Sequence, residues 1–449
     1  MKKLSLFLII SKLAFAQTIS FEEALNQTIE NSKDLQKQKI NIDIAKTNSD
    51  FIDGLNFGKV SLNSDISRTN HSGYVFMGKL SSREATFKDF GFAPNIRDMN
   101  IAPKDLNYPD SYTSINSYIS YDLPLFTGFA LYHQKGILKL QEKANEILYN
   151  LDKKTLEFEV LKAYNSAVLA KDFLKTMQKA KDTIGFIKNG AKEFHKNGLV
   201  TKIDVNEAEL YFLNTNSNLI EAENNFKLSL AYLKFLTSNE NISDVENLQN
   251  TYLEIKEFED LYKIALKNRD EITLQNISIE ANNKNIKANQ GSYYPSVFTH
   301  LEYGYNDDKF STSKDKDYYM ALLGISLTLF DGTRSANLEK SRLEYLKAKL
   351  DFEKLQDGIK LEVQKAILDY KAKQEILKEK ILASELASSV LNQAKLQYKN
   401  RLISMTTLLS QETNYRQSQT MLLNAKYENS LVLAKLNLVL GQNLQKDYK

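Results

Sequence analysis

The sequence predicts a mainly α-helical protein with a membrane β-barrel portion, built from two copies of one unit. Three observations carry this prediction. A short sequence at 196–210 recurs in similar form at 399–413, 203 positions later. Long stretches without proline show a helical pattern, and four short runs alternate apolar and polar residues. Because a repeat at a fixed offset marks a duplicated architecture, we expect two equivalent halves.

The amino terminus has the pattern of a secretory signal peptide. Lys2 and Lys3 precede an apolar run that ends at Ala16, with alanine also two positions earlier. We expect residues 1–16 to be removed, which leaves 56 basic and 56 acidic residues. A mature net charge near zero gives no electrostatic case for nucleic-acid binding. The alternative is an amino-terminal helix of the mature protein.

The composition argues against an enzyme or a metalloprotein. The chain has no cysteine, which excludes disulfides and thiolate metal sites. No two of its four histidines have metal-ligand spacing, and we interpret them as surface or lumen residues: His71, His133, His195 and His300. There is no phosphate-binding glycine loop and no nucleophile elbow. We therefore expect no enzymatic activity and no cofactor.

Two long regions without proline predict very long helices. Proline costs about 3 kcal/mol inside a helix, and none occurs within 126–294 or after Pro295. Apolar residues step by threes and fours across 128–195, which predicts one helix of roughly 65 to 70 residues, about 100 Å long. The alternative is a shorter helix and a bundle kinked around Gly185 and Gly190.

The repeat can be traced through most of the chain by its offset. At an offset of 203, Ala222 falls on Ala425; near the strand-to-helix junction the offset is 204, and Phe126 falls on Phe330. Further upstream the offset becomes 237. Each copy therefore reads helix, strand, strand, long helix, tip, helix, and the first copy carries 33 extra residues between its two strands.

Four runs of about ten residues have the period-two pattern of β-strands. Their apolar positions are Val60, Leu62, Ile66; Ile115, Ile119, Tyr121, Leu123; Val297, Leu301, Tyr303, Tyr305; and Tyr319, Ala321, Leu323, Ile325, Leu327, Leu329. One apolar and one polar face is typical of a membrane barrel with a wet lumen. Because four strands would leave open edges in lipid, several chains must complete one barrel. A half-buried soluble sheet is the alternative.

Five short motifs lie in order at the repeat offsets. They are "PLFTGF" and "LTLFDGT" at the strand-to-helix junctions, "YYPSVF" before the third strand, and "GLVTKIDV" and "RLISMTTLL" at the hairpin tips. In this combination the sequence resembles the TolC family of outer-membrane efflux proteins over essentially its whole mature length. The resemblance implies a homotrimer in the bacterial outer membrane, with three sets of four strands in one barrel and a helical tunnel across the periplasm.

Together these patterns divide the chain into nine segments. They are 1–16, the signal peptide; 17–56, the first helix of repeat 1; 57–125, its strands, with a long extracellular loop at 69–111; 126–236, its helical hairpin, with the tip at 197–204; 237–257, a linker or equatorial segment; 258–292, the first helix of repeat 2; 293–331, its strands, with a loop at 306–317; 332–440, its hairpin, with the tip at 400–407; and 441–449, a carboxy-terminal tail.

The repeated sequence at 196–210 and 399–413 is expected to form the tip of each helical hairpin. In the first copy Gly198 supplies the freedom to turn, and Thr201 or Asp204 can cap the returning helix. In the second copy Arg401 replaces that glycine, so we expect the turn to be made differently. The resemblance implies docking of a periplasmic adaptor protein on Gly198, Leu199, Val200 and Thr201, and on Arg401, Leu402, Ile403 and Ser404. The alternative is that these residues only form turns.

The resemblance also implies a constriction near the tips that gates the tunnel. The candidate residues are Asp204, Tyr398, Thr407 and Ser410. The first two match positions that bond between hairpins in the family, whereas Thr407 and Ser410 stand where acidic residues are often found. A strong cation preference is therefore not expected. Three glutamates near the tips are interpreted as solvated helix faces: Glu207, Glu209 and Glu412.

The function that the resemblance implies is an exit duct for a tripartite efflux or type I secretion system. The duct would conduct passively, opened by the periplasmic adaptor and powered by an inner-membrane pump of the RND or ABC type, with lipid of the outer membrane around its strands. Two alternatives remain open, a soluble periplasmic coiled-coil scaffold and a general porin. The cargo stays undetermined because the inner-membrane partner selects it.

Overall fold

The computed structural model describes residues 17–92, 98, 100–251 and 253–444. The expected signal peptide and the last five residues of the expected tail lie outside this part of the chain. The helices are α1 (Phe21–Asn31), α2 (Lys33–Asn56), α3 (Ser72–Ser81), α4 (Lys104–Asn107), α5 (Ala130–Lys196), α6 (Lys202–Thr237), α7 (Phe258–Asn268), α8 (Asp270–Gln290), α9 (Arg334–Lys399) and α10 (Met405–Val439). The strands are β1 (Gln17–Ile19), β2 (Lys59–Thr69), β3 (Tyr112–Thr127), β4 (Ile242–Val245), β5 (Ser296–Asp307) and β6 (Asp317–Ser326).

The fold is mainly helical, and its two longest helices occupy equivalent places in the two copies. Helix α5 has 67 residues and α9 has 66, so each is about 100 Å long at about 1.5 Å per residue. Gly185 and Gly190 lie inside α5 without interrupting it. The alternative of a shorter helix that is kinked at these glycines is therefore wrong.

Contact patterns divide the chain into two compact units. The first comprises Met1–Asn41, Ala144–Asn276 and Leu350–Lys449, and we call it the helical unit. The second comprises Ile42–Lys143 and Ile277–Lys349, and we call it the sheet unit because it holds the four long strands.

The helical unit has a core around Tyr164, a side chain that is fully buried. The Tyr164 hydroxyl donates to the Ile19 carbonyl at 3.1 Å and accepts from the Glu246 N–H at 3.0 Å. Burial raises the pKa of Tyr164 to about 12. These bonds hold β1 and β4, which pair in parallel, against α5.

This small parallel sheet corrects one of the sequence expectations and adds detail to another. Residues 17–56 were expected to be one helix, but they form β1 and then two helices that meet at Ser32. The segment 237–257 was expected to be a linker or an equatorial segment, and it contains β4. Strands of three and four residues are too short to show a period of two, so the pattern could not reveal them.

The first helix of the second copy is also divided in two. The expected helix at 258–292 consists of α7 and α8, which meet at Arg269, and a short 3₁₀ turn at Gly291–Tyr293. Arg269 leaves the helical conformation, and its guanidinium binds the carboxylates of Glu271 and Glu362. An ion-pair network with a partner 93 positions away fixes the break, which local sequence cannot show.

The sheet unit contains four antiparallel strands in the order β2-β3-β5-β6. On β3, the side chains at even positions 112–122 share one face, which is polar. His300 of β5 lies on this face with its Nδ1 2.6 Å from Asp122, and the Tyr318 hydroxyl of β6 donates to Asn116 at 2.9 Å. The opposite face is apolar and exposed at positions including Val60, Leu62, Ile66, Ile119, Tyr319, Leu323 and Ile325.

The long connection between the first two strands is partly helical. Residues 69–111 were expected to be a loop, but they contain α3 and the short α4. In the second copy β6 ends at Ser326, three residues before the last alternating position that was assigned to it.

Candidate functional site: the hairpin tips

The first hairpin tip turns through Gly198, between α5 and α6. Gly198 has a φ of +69°, and its N–H donates to the His195 carbonyl at 2.9 Å. The Leu199 N–H donates to the Phe194 carbonyl at 2.9 Å. This pair of bonds is the Schellman arrangement that ends a helix, and glycine adopts the required left-handed conformation without a steric cost.

The returning helix α6 begins with a reciprocal cap. The Thr201 hydroxyl accepts from the Asp204 N–H at 3.2 Å, and the Asp204 carboxylate accepts from the Thr201 N–H at 2.8 Å and from its hydroxyl at 2.7 Å. The bonds from the Thr201 side chain and backbone lower the pKa of Asp204. The two residues expected as alternative caps thus act together as a capping box.

The second tip repeats this geometry with different side chains. Arg401 has a φ of +61°, its N–H donates to the Tyr398 carbonyl at 2.9 Å, and the Leu402 N–H donates to the Gln397 carbonyl at 2.9 Å. The expectation that Arg401 makes a different turn is therefore wrong. A left-handed conformation costs a residue other than glycine about 1–2 kcal/mol, so the rest of the hairpin must stabilise it.

The second returning helix is capped by Ser404. Its hydroxyl accepts from the Thr407 N–H at 3.1 Å and lies 2.9 Å from the Thr407 hydroxyl. Thr407 therefore occupies the position that Asp204 has in the first tip. A hydroxyl replaces a carboxylate, so this cap carries no charge.

An apolar cluster joins the two tips within the helical unit. Its buried members are Ile184, Ile187, Ala191, Val205, Ala208, Leu391, Ala394, Met405, Leu408 and Leu409. Beside the cluster the Thr406 hydroxyl donates to the Glu207 carboxylate at 2.8 Å, which links α10 to α6. The structure thus brings the two tips together as one packed end.

The eight candidate docking residues differ in what they offer to a partner. Leu402 is 73% exposed and Leu199 is 43% exposed, whereas Val200 and Ile403 are half-buried. Thr201 and Ser404 are exposed, but their hydroxyls serve the caps. Exposed apolar contact surface therefore comes mainly from the two leucines that follow the left-handed residues.

Of the candidate gate residues, the structure brings together Asp204 and Tyr398. Burial raises the pKa of Tyr398, and the negative charge of Asp204 raises it further. The Tyr398 hydroxyl is buried and makes no hydrogen bond within the described part of the chain. Thr407 and Ser410 are exposed on the first turns of α10.

Glu412 is a site residue that sequence reasoning misjudged. Interpreted as solvated, it is only 2% exposed, and its Oε2 has no hydrogen-bond partner in the described residues. Arg416 lies 3.9 Å away, and burial raises the pKa of Glu412. The signal was its spacing, because Glu412 follows the buried Leu408 by four residues and so lies on the same helix face.

The other two glutamates near the tips each bind a neighbouring side chain. Glu207 binds Thr406, and Glu209 binds Lys188 at 3.4 Å and Lys192 at 3.0 Å. Each carboxylate therefore already has a partner at this end of the molecule.

One group of carboxylates outside the tips has the proximity of metal ligands. Glu84, Asp307 and Asp308 offer oxygens within 4.8 Å of one another in the sheet unit. The Lys316 ammonium lies 2.8 Å from Glu84 and 3.3 Å from Asp307. Because this lysine already binds two of the three carboxylates, we interpret the group as a structural ion-pair network.

Comparison with known proteins identifies the family. Residues 261–442, which lie in the second copy, match the family model described as outer membrane efflux protein. The second copy of the chain thus matches the outer membrane efflux protein family, as the resemblance to the TolC family predicts. A comparison with curated proteins found no match.

Solved structures of outer membrane proteins resemble this efflux protein over both copies. The Campylobacter jejuni CmeC outer membrane channel has 15% identity and a TM-score of 0.75, with 94% of this chain and 86% of that chain covered. The Vibrio cholerae outer membrane protein VceC has 14% identity and a TM-score of 0.75, covering 94% and 96%. The open state of the Neisseria gonorrhoeae MtrE outer membrane channel has 15% identity and a TM-score of 0.75, covering 96% and 90%.

These findings confirm the predicted family, the mainly helical fold and the assignment to efflux at the outer membrane. In the part of this efflux protein that the structure describes, no helix combines the length and the apolar character needed to cross a membrane.

Proposed function

We propose that this efflux protein is the exit duct of a tripartite system, a passive conduit that a periplasmic adaptor opens and an inner-membrane pump of the RND or ABC type powers. The observation that carries the proposal is the equivalence of the two hairpin tips. Each has a left-handed residue, an exposed leucine after it and a hydroxyl cap, 203 positions apart. One chain thus presents two similar surfaces to a repeated partner.

The sheet supports assembly of several copies into one barrel. Within the described residues β2 and β6 are the edges of the sheet, and each pairs on one side only. In lipid such edges leave backbone groups without hydrogen bonds. All neighbours in the sheet are antiparallel, so β6 of one copy can pair with β2 of the next in the same sense. Three copies would form a closed barrel with the apolar face toward lipid, the helical part extending into the periplasm.

Adaptor docking is assigned to the tips, Gly198 to Thr201 and Arg401 to Ser404. Leu199 and Leu402 supply apolar anchors, and the left-handed turns present them at the end of each hairpin. Exposed apolar side chains in a polar surround are typical of a protein interaction site.

The gate is assigned to Asp204, Tyr398, Thr407 and Ser410. The buried hydroxyl of Tyr398 is a hydrogen-bond donor without a partner in the described part of one chain, and such donors are expensive to leave unsatisfied. In the closed assembly, a movement of the tip that exposes this hydroxyl would let a neighbouring hairpin supply the acceptor. Thr407 and Ser410 would line the entrance without adding charge.

The test is single-channel recording of the full-length protein, purified in detergent and inserted into planar lipid bilayers, together with negative-stain imaging. A three-fold tapered tube that conducts ions is the expected result. A particle that stays in solution without detergent and never conducts would contradict the duct and favour the periplasmic scaffold.

A further inference from the structure

Helix α3 lies on the polar face of the sheet. A Cβ atom placed on Gly78 would be 3.0 Å from the Tyr112 ring and 3.6 Å from the Ser114 Cβ, so the helix backbone touches this part of β3 directly. Val75, one turn earlier, is 2% exposed. Tyr112 and Ser114 share the face of Asp122, and β3 has no irregularity between them. Helix α3 therefore lies over the polar side of the sheet, at the end where β2 finishes.

Two cations attach the end of α3 to the hairpin between β5 and β6. The Arg83 guanidinium donates to the carbonyls of Asp315 at 2.9 Å and Asp317 at 2.6 Å. The Lys316 ammonium donates to the Ser82 carbonyl at 2.7 Å and to Glu84 at 2.8 Å. The segment at the end of α3 is thus held at a defined place against this hairpin.

Tyr112 of β3 also binds the segment that follows α3. Its hydroxyl lies 2.7 Å from the hydroxyl of Ser82 and donates to the Glu84 carboxylate at 3.1 Å. Ser82 is fully buried. The segment after α3 is therefore bonded both to the first strand that follows it and to the second strand pair.

The proposed barrel is narrow enough for helices on its inner wall to fill much of the lumen. A barrel from three sets of four strands, about 4.8 Å apart and tilted by about 40°, is about 24 Å across between backbones. Three helices, each about 10 Å in diameter, touch one another inside a circle about 22 Å across. Three copies of α3 on the inner wall would therefore occupy most of the lumen.

From this geometry we infer that α3 is an exit constriction, which lies inside the outer mouth of the barrel and sets the largest solute that leaves it. The inference rests on the proposed function, because the polar face is a lumen only if several copies close a barrel. Arg83 and Lys316 are the residues that hold the constriction in place. The tips then control entry, and α3 controls the size of the solute that leaves.

The test uses maleimide reagents of increasing polymer length, added to the outside of cells that carry the full-length protein. The chain has no cysteine, so Asn63→Cys on the polar face of β2 gives a single label, and Leu62→Cys gives the matched position on the apolar face. Each is combined with the natural insertion, with a short Gly-Ser linker in place of residues 72–108, or with Arg83→Ala and Lys316→Ala together. Replacement of Lys88 and Lys104, two exposed cations of the same insertion, by alanine is the control.

With the natural insertion we expect small reagents to label the cysteine at position 63 and large ones to be excluded, while position 62 stays unlabelled in lipid. The linker variant and the Arg83, Lys316 double variant should raise labelling of position 63 by the large reagents at least tenfold, and the control should not. An unchanged size limit in both, with position 63 labelled and 62 protected, would overturn the exit constriction alone. Equal labelling of 62 and 63 would overturn the barrel, and the constriction with it.

Discussion

Gly198 and Arg401 make the same left-handed turn 203 positions apart. Glycine adopts this conformation without strain, whereas arginine adopts it at a steric cost. Their φ angles are +69° and +61°, and the hydrogen bonds around them connect equivalent residues. The local preference of arginine is overridden at the second tip. The packed cluster between the hairpins, which buries Met405, Leu408 and Leu409, supplies the stabilisation.

Substitution at the two turns should therefore have opposite effects. Arg401→Gly should raise the free energy of unfolding by about 1 kcal/mol, and Gly198→Ala should lower it by about 1 kcal/mol, because only glycine is free of the left-handed penalty. Denaturant unfolding of the detergent-solubilised protein measures both. Gly190→Ala is the control, since a Cβ there meets open space inside α5 and should stabilise. A stabilising Gly198→Ala would contradict the assignment.

The two helix caps should respond differently to acid. The pKa of Asp204 is lowered in the folded state, so the ionised carboxylate stabilises the fold at neutral pH. This stabilisation is lost as the pH falls below about 4 and through the lowered folded-state pKa. Thr201→Ala and Ser404→Ala should each cost about 1 kcal/mol at pH 7. Only the cost of Thr201→Ala should shrink in acid, because Thr407 carries no charge. Thr201→Ser should restore the first cap, and an equal pH response at both tips would refute the distinction.

Buried Glu412 should limit stability at neutral and higher pH. Burial raises its folded-state pKa, so the fold favours the protonated form, and stability present below about pH 4.3 is lost as the pH rises through the raised value. Glu412→Gln should therefore raise the free energy of unfolding at pH 7, by about 1.4 kcal/mol for each unit by which the pKa is raised. At pH 4 the substitution should have no effect. Arg416 keeps a partner in the variant, because it donates to the Thr215 hydroxyl at 3.0 Å.

Glu209→Gln is the matched comparison for Glu412→Gln. The bonds from Lys192 and the charge of Lys188 lower the pKa of Glu209, so its removal should weaken the fold at neutral pH instead. Parallel pH profiles for the two variants would show that burial does not determine the behaviour of Glu412.

Most of the architecture was predictable because it rests on long periodic patterns. The helices α5 and α9, the four long strands and the two tips each extend over enough residues to show a period. The parallel pair β1 and β4 was missed because three or four residues show none. The break at Arg269 depends on an ion pair with Glu362, which is distant in sequence.

The candidate site was predictable in position and less so in detail. The tips lie where the repeated phrase predicts them, yet the turn at Arg401 follows tertiary packing and not local propensity. Glu412 was misjudged because charge was weighed above its spacing from Leu408. Helix α3 was missed because its sequence, "SGYVFMGKLS", has two glycines and no polar face of its own. Its burial comes from the sheet beneath it.

Thr407→Asp tests the placement of the entrance. If Thr407 lines the lumen, one carboxylate from each copy should make the entrance prefer cations, and the reversal potential in a potassium chloride gradient should shift toward that of potassium. Thr407→Asn is the neutral control and keeps a side chain that can bond to Ser404. A reversal potential that Thr407→Asp leaves unchanged would remove Thr407 from the gate.

Tyr398→Phe separates a gating role from a structural one. The hydroxyl is buried and has no partner in the described part of one chain, so its removal should cost the isolated fold nothing, or stabilise it, since an unsatisfied buried polar group is unfavourable. If the tips of the closed trimer instead expose the hydroxyl to an acceptor on a neighbouring hairpin, its loss should raise the open probability and the mean conductance in planar bilayers. The substituted side chain keeps the aromatic ring, whose centroid lies 6.2 Å from that of Phe194 in the natural protein, so packing is retained. A variant with reduced stability and unchanged conductance would mean that the hydroxyl serves the fold and not the gate.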